Sequence, residues 1–349
     1  MFGYKYLLLV ISLCFTFQVS VAQKDSANAE VAIYKAGCKL LDSSKYKDAI
    51  NTFKKAIKLK KDYIEAYNKM AVAKIKSEDV KGAEKDLLAA RKINPDDFET
   101  EKTLAYLYLQ TKRYSEAKAM VDSAIGLKAD DAEIYYYQAQ LMYLGKSYKP
   151  ALDACARAID IKSNYIDVIY LKGDIRFAMK DYNYSVKEIN EAMKLSKDVV
   201  LNYNAYETRA KARFEVRDYK NAITDWNVYI DAFPEEEGAY VARGACKIES
   251  ADYTGAIVDL DAAIKMNPKN PVSYNYRGVA KGESKQFVEA LKDFDYAIKL
   301  RFNYAEAFVN RAAVKFASKD KRGACEDLNK ADGLGDEMAI KLIETYCKH

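Results

Sequence analysis

The chain has a single histidine, His349, and it is the last residue. No His–Cys or His–carboxylate metal set can be built from it, and no histidine-based triad. Glycine is sparse, and no glycine-rich loop follows a strand-like run, so a phosphate-cradling turn is absent. No segment alternates with the two-residue period of a strand. Carboxylates are plentiful, but they are spread along polar faces. With 56 basic and 51 acidic residues well mixed, the net charge of +5 forms no basic stripe, and nucleic acid is not an expected partner. These absences point to a protein that is not an enzyme and uses no cofactor or metal.

Long apolar runs are also missing, with one exception. Tyr6 to Phe17 follows Lys5 and ends at Ser20-Val21-Ala22, which puts small residues at the −3 and −1 positions of a cleavage site before Gln23. Twelve residues are short for a membrane span, which needs about 20. Residues 1–22 therefore read as a secretory signal peptide and 23–29 as a short lead. Cys14 belongs to that signal, because Leu13 occupies the site where lipid attachment requires a small residue. After cleavage no direct membrane span is expected.

What is present is a 34-residue period, repeated nine times from Glu30 to Met338. The repeats are 30–63, 64–97, 98–131, 132–165, 166–199, 203–236, 237–270, 271–304 and 305–338. Position 8 is always Gly or Ala, from Gly37 to Ala312. Position 20 is Ala in every repeat but the fifth, which has Ser185, and position 27 is Ala in every repeat but the sixth, which has Tyr229. A fixed period of this size marks a repeat array. Within the first repeat Ile33, Ala36, Gly37, Leu40 and Leu41 lie at helical spacing, as do Tyr46, Ala49, Ile50, Phe53, Ala56 and Ile57. Asp42-Ser43-Ser44-Lys45 separates the two helices, and Pro95, Pro234 and Pro268 stop second helices at position 32. In an antiparallel hairpin, position 8 then lies opposite the large residues of position 24, including Phe53, Leu87, Trp226 and Phe294. An aromatic at position 17 recurs and is expected to plug the hairpin end.

Small at 8, Ala at 20, large apolar at 24, Ala at 27 and Pro at 32 resemble the tetratricopeptide repeat. The resemblance covers nearly the whole mature chain. It implies an all-α, right-handed superhelical solenoid of nine helix hairpins. Residues 339–349, with Ile340, Leu342, Ile343 and Tyr346, read as a capping helix over the last repeat. Three extra residues, Val200-Leu201-Asn202, interrupt the period and mark the best candidate boundary.

Two further patterns carry expectations. Arg at position 7 and Asp at position 23 recur together as Arg209/Asp225, Arg243/Asp259, Arg277/Asp293 and Arg311/Asp327, with Lys172/Glu188 in the fifth repeat. Each pair falls at one height of its hairpin. The arginines read either as intra-repeat ion pairs or as a ladder for an acidic ligand. Among the cysteines, Cys38, Cys155 and Cys246 lie about three repeats apart and read as buried free thiols. Cys325 and Cys347 sit on consecutive helices that face one another, and a disulfide between them is expected in an oxidising compartment.

The resemblance also implies a binding groove. In that family first-helix positions 2, 5, 9, 12 and 13 tend to face it. Carried onto this chain they include Tyr34, Tyr106, Tyr136, Tyr143, Tyr170, Phe177, Phe214 and Phe316. These rings either line the groove or pack between repeats. Some relatives grip a C-terminal carboxylate with Lys at 5 and Asn at 9. Here Lys102 at 5 is followed by Tyr106 at 9, so that function is not implied. The leading expectation is a non-enzymatic scaffold of the bacterial envelope, exported to the periplasm or beyond, which binds a protein or peptide segment. The alternative is an envelope polysaccharide stacked on the same aromatics.

Overall fold

The computed structural model describes residues 29–196 and 202–347. The signal-peptide pattern at 1–22, the lead up to residue 28, Val200, Leu201 and His349 lie outside the described residues. Among the described residues all regular structure is helical. Helix α1 (29–42) is followed by α2 (Tyr46–Leu59), α3 (Ile64–Lys76), α4 (Val80–Ile93), α5 (Phe98–Gln110) and α6 (Tyr114–Leu127). Next come α7 (Ala132–Leu144), α8 (Tyr148–Ile161), α9 (Ile166–Ala178), α10 (Tyr182–Leu195), α11 (Tyr203–Glu215) and α12 (Tyr219–Ala232). The chain continues through α13 (Glu237–Glu249), α14 (Tyr253–Met266), α15 (Pro271–Glu283), α16 (Phe287–Leu300), α17 (Ala305–Ala317), α18 (Lys321–Gly333) and α19 (Glu337–Tyr346). Odd-numbered helices open the hairpins and even-numbered ones close them.

The chain forms two compact units, Met1–Val168 and Ile169–His349. The division falls inside α9, one hairpin before the irregularity at 200–202. Each unit is a stack of helical hairpins whose helices touch mainly their neighbours in sequence. That is the local contact pattern of a repeat solenoid.

The small columns work as interlocks. A Cβ built on Gly37 would stand 2.6 Å from Cε1 of Phe53, and one on Gly278 would stand 2.8 Å from Cε1 of Phe294. Both rings are fully buried, so each fills the space that the glycine leaves open. Alanine takes position 8 in other hairpins, as at Ala71 with Leu87 at position 24, and both remain buried. Ala49, Ala83, Ala117, Ala151, Ala222, Ala256, Ala290 and Ala324 are fully buried at position 20. Ser185 takes that place in the fifth hairpin and donates its hydroxyl to the Gly173 carbonyl at 2.8 Å, which removes the penalty of burying it.

Every hairpin turns through a left-handed residue at position 15, from Ser44 to Lys319, with φ between 58° and 69°. In the eighth hairpin Lys285 N–H donates to the Gly282 carbonyl at 2.9 Å and Gln286 N–H to the Lys281 carbonyl at 2.8 Å. This bonding satisfies the last carbonyls of the first helix in the manner of a Schellman motif. Side-chain caps start three of the second helices, α4, α14 and α18. Asp79 accepts from Gly82 N–H at 3.0 Å, and Asp320 from Gly323 N–H at 2.8 Å.

The second unit carries an added polar ladder. Arg277 donates from Nε to Asp293 at 2.9 Å and from Nη2 at 2.6 Å, while its Nη1 reaches back to Asp261 on the preceding hairpin at 2.6 Å. Lys281 donates to the same Asp293 at 2.7 Å, and Tyr274 lies under the guanidinium at 5.5 Å. The same five-part arrangement recurs at Arg209, Arg243 and Arg311. Their forks meet Asp225, Asp259 and Asp327 at position 23, and their Nη1 groups meet Asn190, Asn227 and Asp295 at position 25 of the hairpin before. Each arginine thus ties three helices. In the first unit the one acid at position 23 is Asp86, and it has Lys74 at 2.5 Å but Met70 where the arginine would stand. The contrast shows in the titration. Burial pushes Asp86 up, and its lysine does not offset that. Burial acts on Asp327 too, but the hydrogen bonds from Arg311 and Lys315 outweigh it and hold the carboxyl below its usual range.

The C-terminal end is closed by α19. Ala339 is fully buried, and Leu342, Ile343 and Cys347 pack on the cluster of Phe308, Ala312, Leu328 and Ala331. Cys325 and Cys347 form a disulfide with Cα atoms 5.8 Å apart. Cys155 and Cys246 are buried and Cys38 half-buried, and none of the three is in a disulfide.

Candidate binding grooves

Because first helices follow one another along one side of a stack, their outward faces line a groove. Each unit has one. In the first unit a cavity of about 500 Å³ runs across α1, α3, α5 and α7. Tyr34, Tyr106 and Tyr137 supply its rings. Glu65, Glu99 and Glu133, all at position 2, stand along the edge formed by the helix N-termini. Lys69, one turn after Glu65, and Lys76, at the C-terminal end of α3, also line the cavity. Lys102 is not a free cation. Its ammonium lies 3.2 Å from Asp131, 3.3 Å from Glu99 and 3.4 Å from Glu133. Burial lowers the Lys102 pKa, but these carboxylates outweigh it and hold the group above its ordinary value. Tyr137 donates its hydroxyl to Glu133 at 2.6 Å, and burial together with that carboxylate pushes the phenol far up.

In the second unit a cavity of about 440 Å³ is lined by Phe177, Phe214, Trp226, Val241, Cys246, Val272 and Tyr276, with Lys211, Glu215 and Asn270 as its polar members. It is the more apolar of the two. Asp174 lies one helical turn from Phe177 on α9 and accepts the Thr208 hydroxyl at 2.9 Å. Burial raises its pKa to about 6, and the Thr208 hydrogen bond opposes that only in part.

The eight aromatics expected at a groove are all half-buried. Tyr34 and Tyr106 line the first groove, and Phe177 and Phe214 line the second. The other four do not line either. Tyr136 meets Tyr165 at 5.5 Å, and Tyr143 meets the position-17 ring of Tyr148 at 6.2 Å. Tyr170 lies 3.3 Å from the Ser196 hydroxyl, and Phe316 packs beneath the cap at 5.5 Å from Tyr346. Even the lining rings at position 12 lean on position 17: Phe177 lies 5.5 Å from Tyr182 and Phe214 5.4 Å from Tyr219. Tyr137 and Tyr276, which do line the grooves, sit at position 6. Their signal in the sequence was a ring one residue beyond the position-5 column.

Among the described residues no group of three or more His, Cys, Asp or Glu could hold a metal ion. Among them, too, no helix is long and apolar enough to cross a membrane.

Paired helices with small interlocking columns, stacked in sequence and grooved along their first helices, define an all-α hairpin-repeat protein. Tetratricopeptide repeat models match residues 37–77 and 75–141. Residues 37–141 are thus tetratricopeptide repeats, and the later hairpins continue the same architecture. No curated protein matches its sequence. Among solved structures it is similar to YrrB, "a TPR protein with an unusual peptide-binding site", at 17% identity and a TM-score of 0.50, over 54% of this chain and 95% of that one. It is also similar to a chain of the APC/C hetero-tetramer Cut9–Hcn1, at 10% identity and a TM-score of 0.50, over 90% of this chain and 76% of that one. At these identities the likeness establishes the fold.

Proposed function

We propose that this chain is a non-enzymatic scaffold that binds segments of partner proteins in the grooves of its two hairpin stacks. The observation that carries this reading is the pair of first-helix grooves, each large enough for several side chains and each floored by half-buried rings. Rings of this kind offer contact area with little rotamer entropy to lose, which favours recognition of an extended segment. The likeness to a peptide-binding repeat protein supports the same use of the fold.

The proposed site of action is the bacterial envelope, outside the reducing cytoplasm. The signal-peptide pattern at 1–22 and the Cys325–Cys347 disulfide support it, because such bonds persist in oxidising compartments. Differential alkylation of unreduced protein taken from cells tests this part. Labelling of both cysteines without reductant would overturn it.

Site-specific photocrosslinking tests the binding reading. A benzophenone amino acid at Thr103 or Lys211 stands in a groove, while one at Lys118 or Val258 stands on an exposed second-helix face. Polypeptide adducts are expected from the groove positions. Adducts formed only from Lys118 and Val258 would move binding away from the grooves.

A further inference from the structure

Charges that are mixed along the sequence are not mixed on the outside of the first two hairpins. Helices α2 and α4 close those hairpins and stand on the side of the stack away from the groove of α1, α3, α5 and α7. Positions 18, 22, 25 and 29 of a second helix recur at helical spacing and so share one face. On α2 that face carries Lys47, Lys54 and Lys58, and on α4 it carries Lys81, Lys85 and Lys92, all exposed. The acids of these helices do not neutralise it. Glu84 is held by Arg113 at 2.8 Å, and Asp86 by Lys74 at 2.5 Å. Asp48, the one exposed acid on either helix, lies a residue off the stripe. Among the described residues none of the six lysines forms an ion pair. The two stripes stand side by side. Burial pushes the Asp86 carboxyl up, and after Lys74 it is Lys54, on α2, that draws it back down.

The next two second helices break the pattern. At the same positions α6 has no lysine and carries Asp122, while α8 sets Asp153 and Asp160 against Lys149. The net charge of the whole chain, +5, is thus less than the positive charge of this one face. Apolar side chains stand among the lysines. Leu88, between Lys85 and Lys92, is 39% exposed. Leu59 and Ile93, which follow Lys58 and Lys92, are 57% and 39% exposed. Leu88 and Ala89 floor an open depression bordered by Lys81, Lys85 and Lys92, with Glu84 at its margin.

This combination selects the partner. Lysine is a compact point charge without the fork that fits arginine to a single phosphate, so six of them on an open face suit a diffuse sheet of anionic charge. Exposed leucine and isoleucine suit the boundary between headgroups and acyl chains, with the lysine stems lying along it. No ring stands on the stripe to stack on a base, as recognition of single-stranded nucleic acid requires. We propose that the outer face of α2 and α4 docks on an anionic phospholipid bilayer, a contact separate from the grooves and independent of what they bind. The six ammonium groups lie among the lipid phosphates, and Leu59, Leu88 and Ile93 reach the acyl boundary.

Flotation of the full chain with vesicles tests this, using phosphatidylcholine alone and phosphatidylcholine mixed with phosphatidylglycerol in equal parts. Binding is expected to the mixed vesicles and should weaken as salt rises. Each lysine near such a surface changes affinity about fivefold. Lys58→Gln/Lys92→Gln should therefore bind about thirtyfold more weakly, and Lys54→Gln/Lys58→Gln/Lys85→Gln/Lys92→Gln roughly several hundredfold. All four side chains are exposed, so the melting of both variants should match the parent. Leu88→Gln should weaken binding at every salt concentration, and Lys118→Gln/Lys149→Gln, on α6 and α8, should change nothing. Equal flotation of the parent and the quadruple variant would overturn the proposal, because binding would then run through another segment, such as the apolar run at 6–17. No flotation with the mixed vesicles at low salt would overturn it as well. Tighter binding to polyglutamate or to a DNA duplex than to the mixed vesicles, lost in the quadruple variant, would assign the face to a soluble polyanion instead of a membrane.

Discussion

Replacing Arg277 with methionine is the sharpest probe of what holds the second unit together. Asp293 is buried and receives three charged hydrogen bonds, two from the Arg277 fork and one from Lys281. Arg277→Met removes two of them and leaves a desolvated carboxylate with one lysine. Breaking a buried pair in this way costs about 3–5 kcal/mol when nothing else compensates. Lys281 remains, so the expected loss is nearer about 2–3 kcal/mol, including the link to Asp261 and the contact with Tyr274. Arg277→Met/Asp293→Leu removes the stranded charge and fills its space with an apolar side chain. The double variant should therefore be more stable than the single one, by about 1–2 kcal/mol. Asp261→Asn should matter little, because that carboxylate is 56% exposed. Urea unfolding followed by circular dichroism reads all three, with the slope checked for a change in cooperativity. A silent Arg277→Met, or a double variant less stable than the single one, would refute the claim that the pair is a buried structural unit.

Three other outcomes concern a turn, the cap and a buried acid. Lys285 holds φ near 62° with no left-handed preference of its own, so Lys285→Gly should raise stability by about 1 kcal/mol, and a lower Tm would count against the turn assignment. Reduction, or Cys325→Ser, opens a link between residues 22 apart and should cost the end of the array about 3 kcal/mol, read as faster amide exchange in α19 with α11–α16 unchanged. Asp174 has its folded pKa raised to about 6 by burial, above its unfolded value, so its contribution to stability is fully present below the unfolded pKa and is lost as pH rises through about 6. Asp174→Asn should flatten that stretch of the stability profile and stabilise the protein in mildly alkaline buffer, and an unchanged profile would refute the assignment.

The fold was legible because the constraint that builds it repeats. A small residue at position 8 opposite a large one at 24 recurs in phase, so Gly37 against Phe53 and Gly278 against Phe294 stand out without coordinates. The arginine–aspartate pairs at positions 7 and 23 were legible for the same reason, since both partners lie in one hairpin. Their remaining partners were not. Asp261 and Asp295 belong to the hairpin before, and a residue count within one repeat does not show which neighbour a guanidinium reaches. Arg91 and Glu101 give the same lesson. They stand 2.8 Å apart, in different hairpins, and only the junction of the two brings them together. The grooves were legible in part. A position number tells which way a Cβ points, but a long ring can turn toward a neighbouring ring, as Tyr136 and Tyr143 do.

The arginine ladders also bear on how the chain tolerates change in length. Arg243 spans from Asn227 to Asp259, and Arg277 from Asp261 to Asp293, so neighbouring ladders share α14. A one-residue deletion within α14 would rotate the rest of that helix by about 100° and misalign the acids of two ladders at once. The same deletion in α6 would break no ladder, because Met120 stands at position 23 there and Asp122 pairs with Lys118 of its own helix. Either deletion would also turn buried residues out of the core, Ala117, Val121 and Ala124 in α6 and Ala256, Leu260 and Ala263 in α14, so the ladders add a second penalty for length change in the second unit to one that both units share.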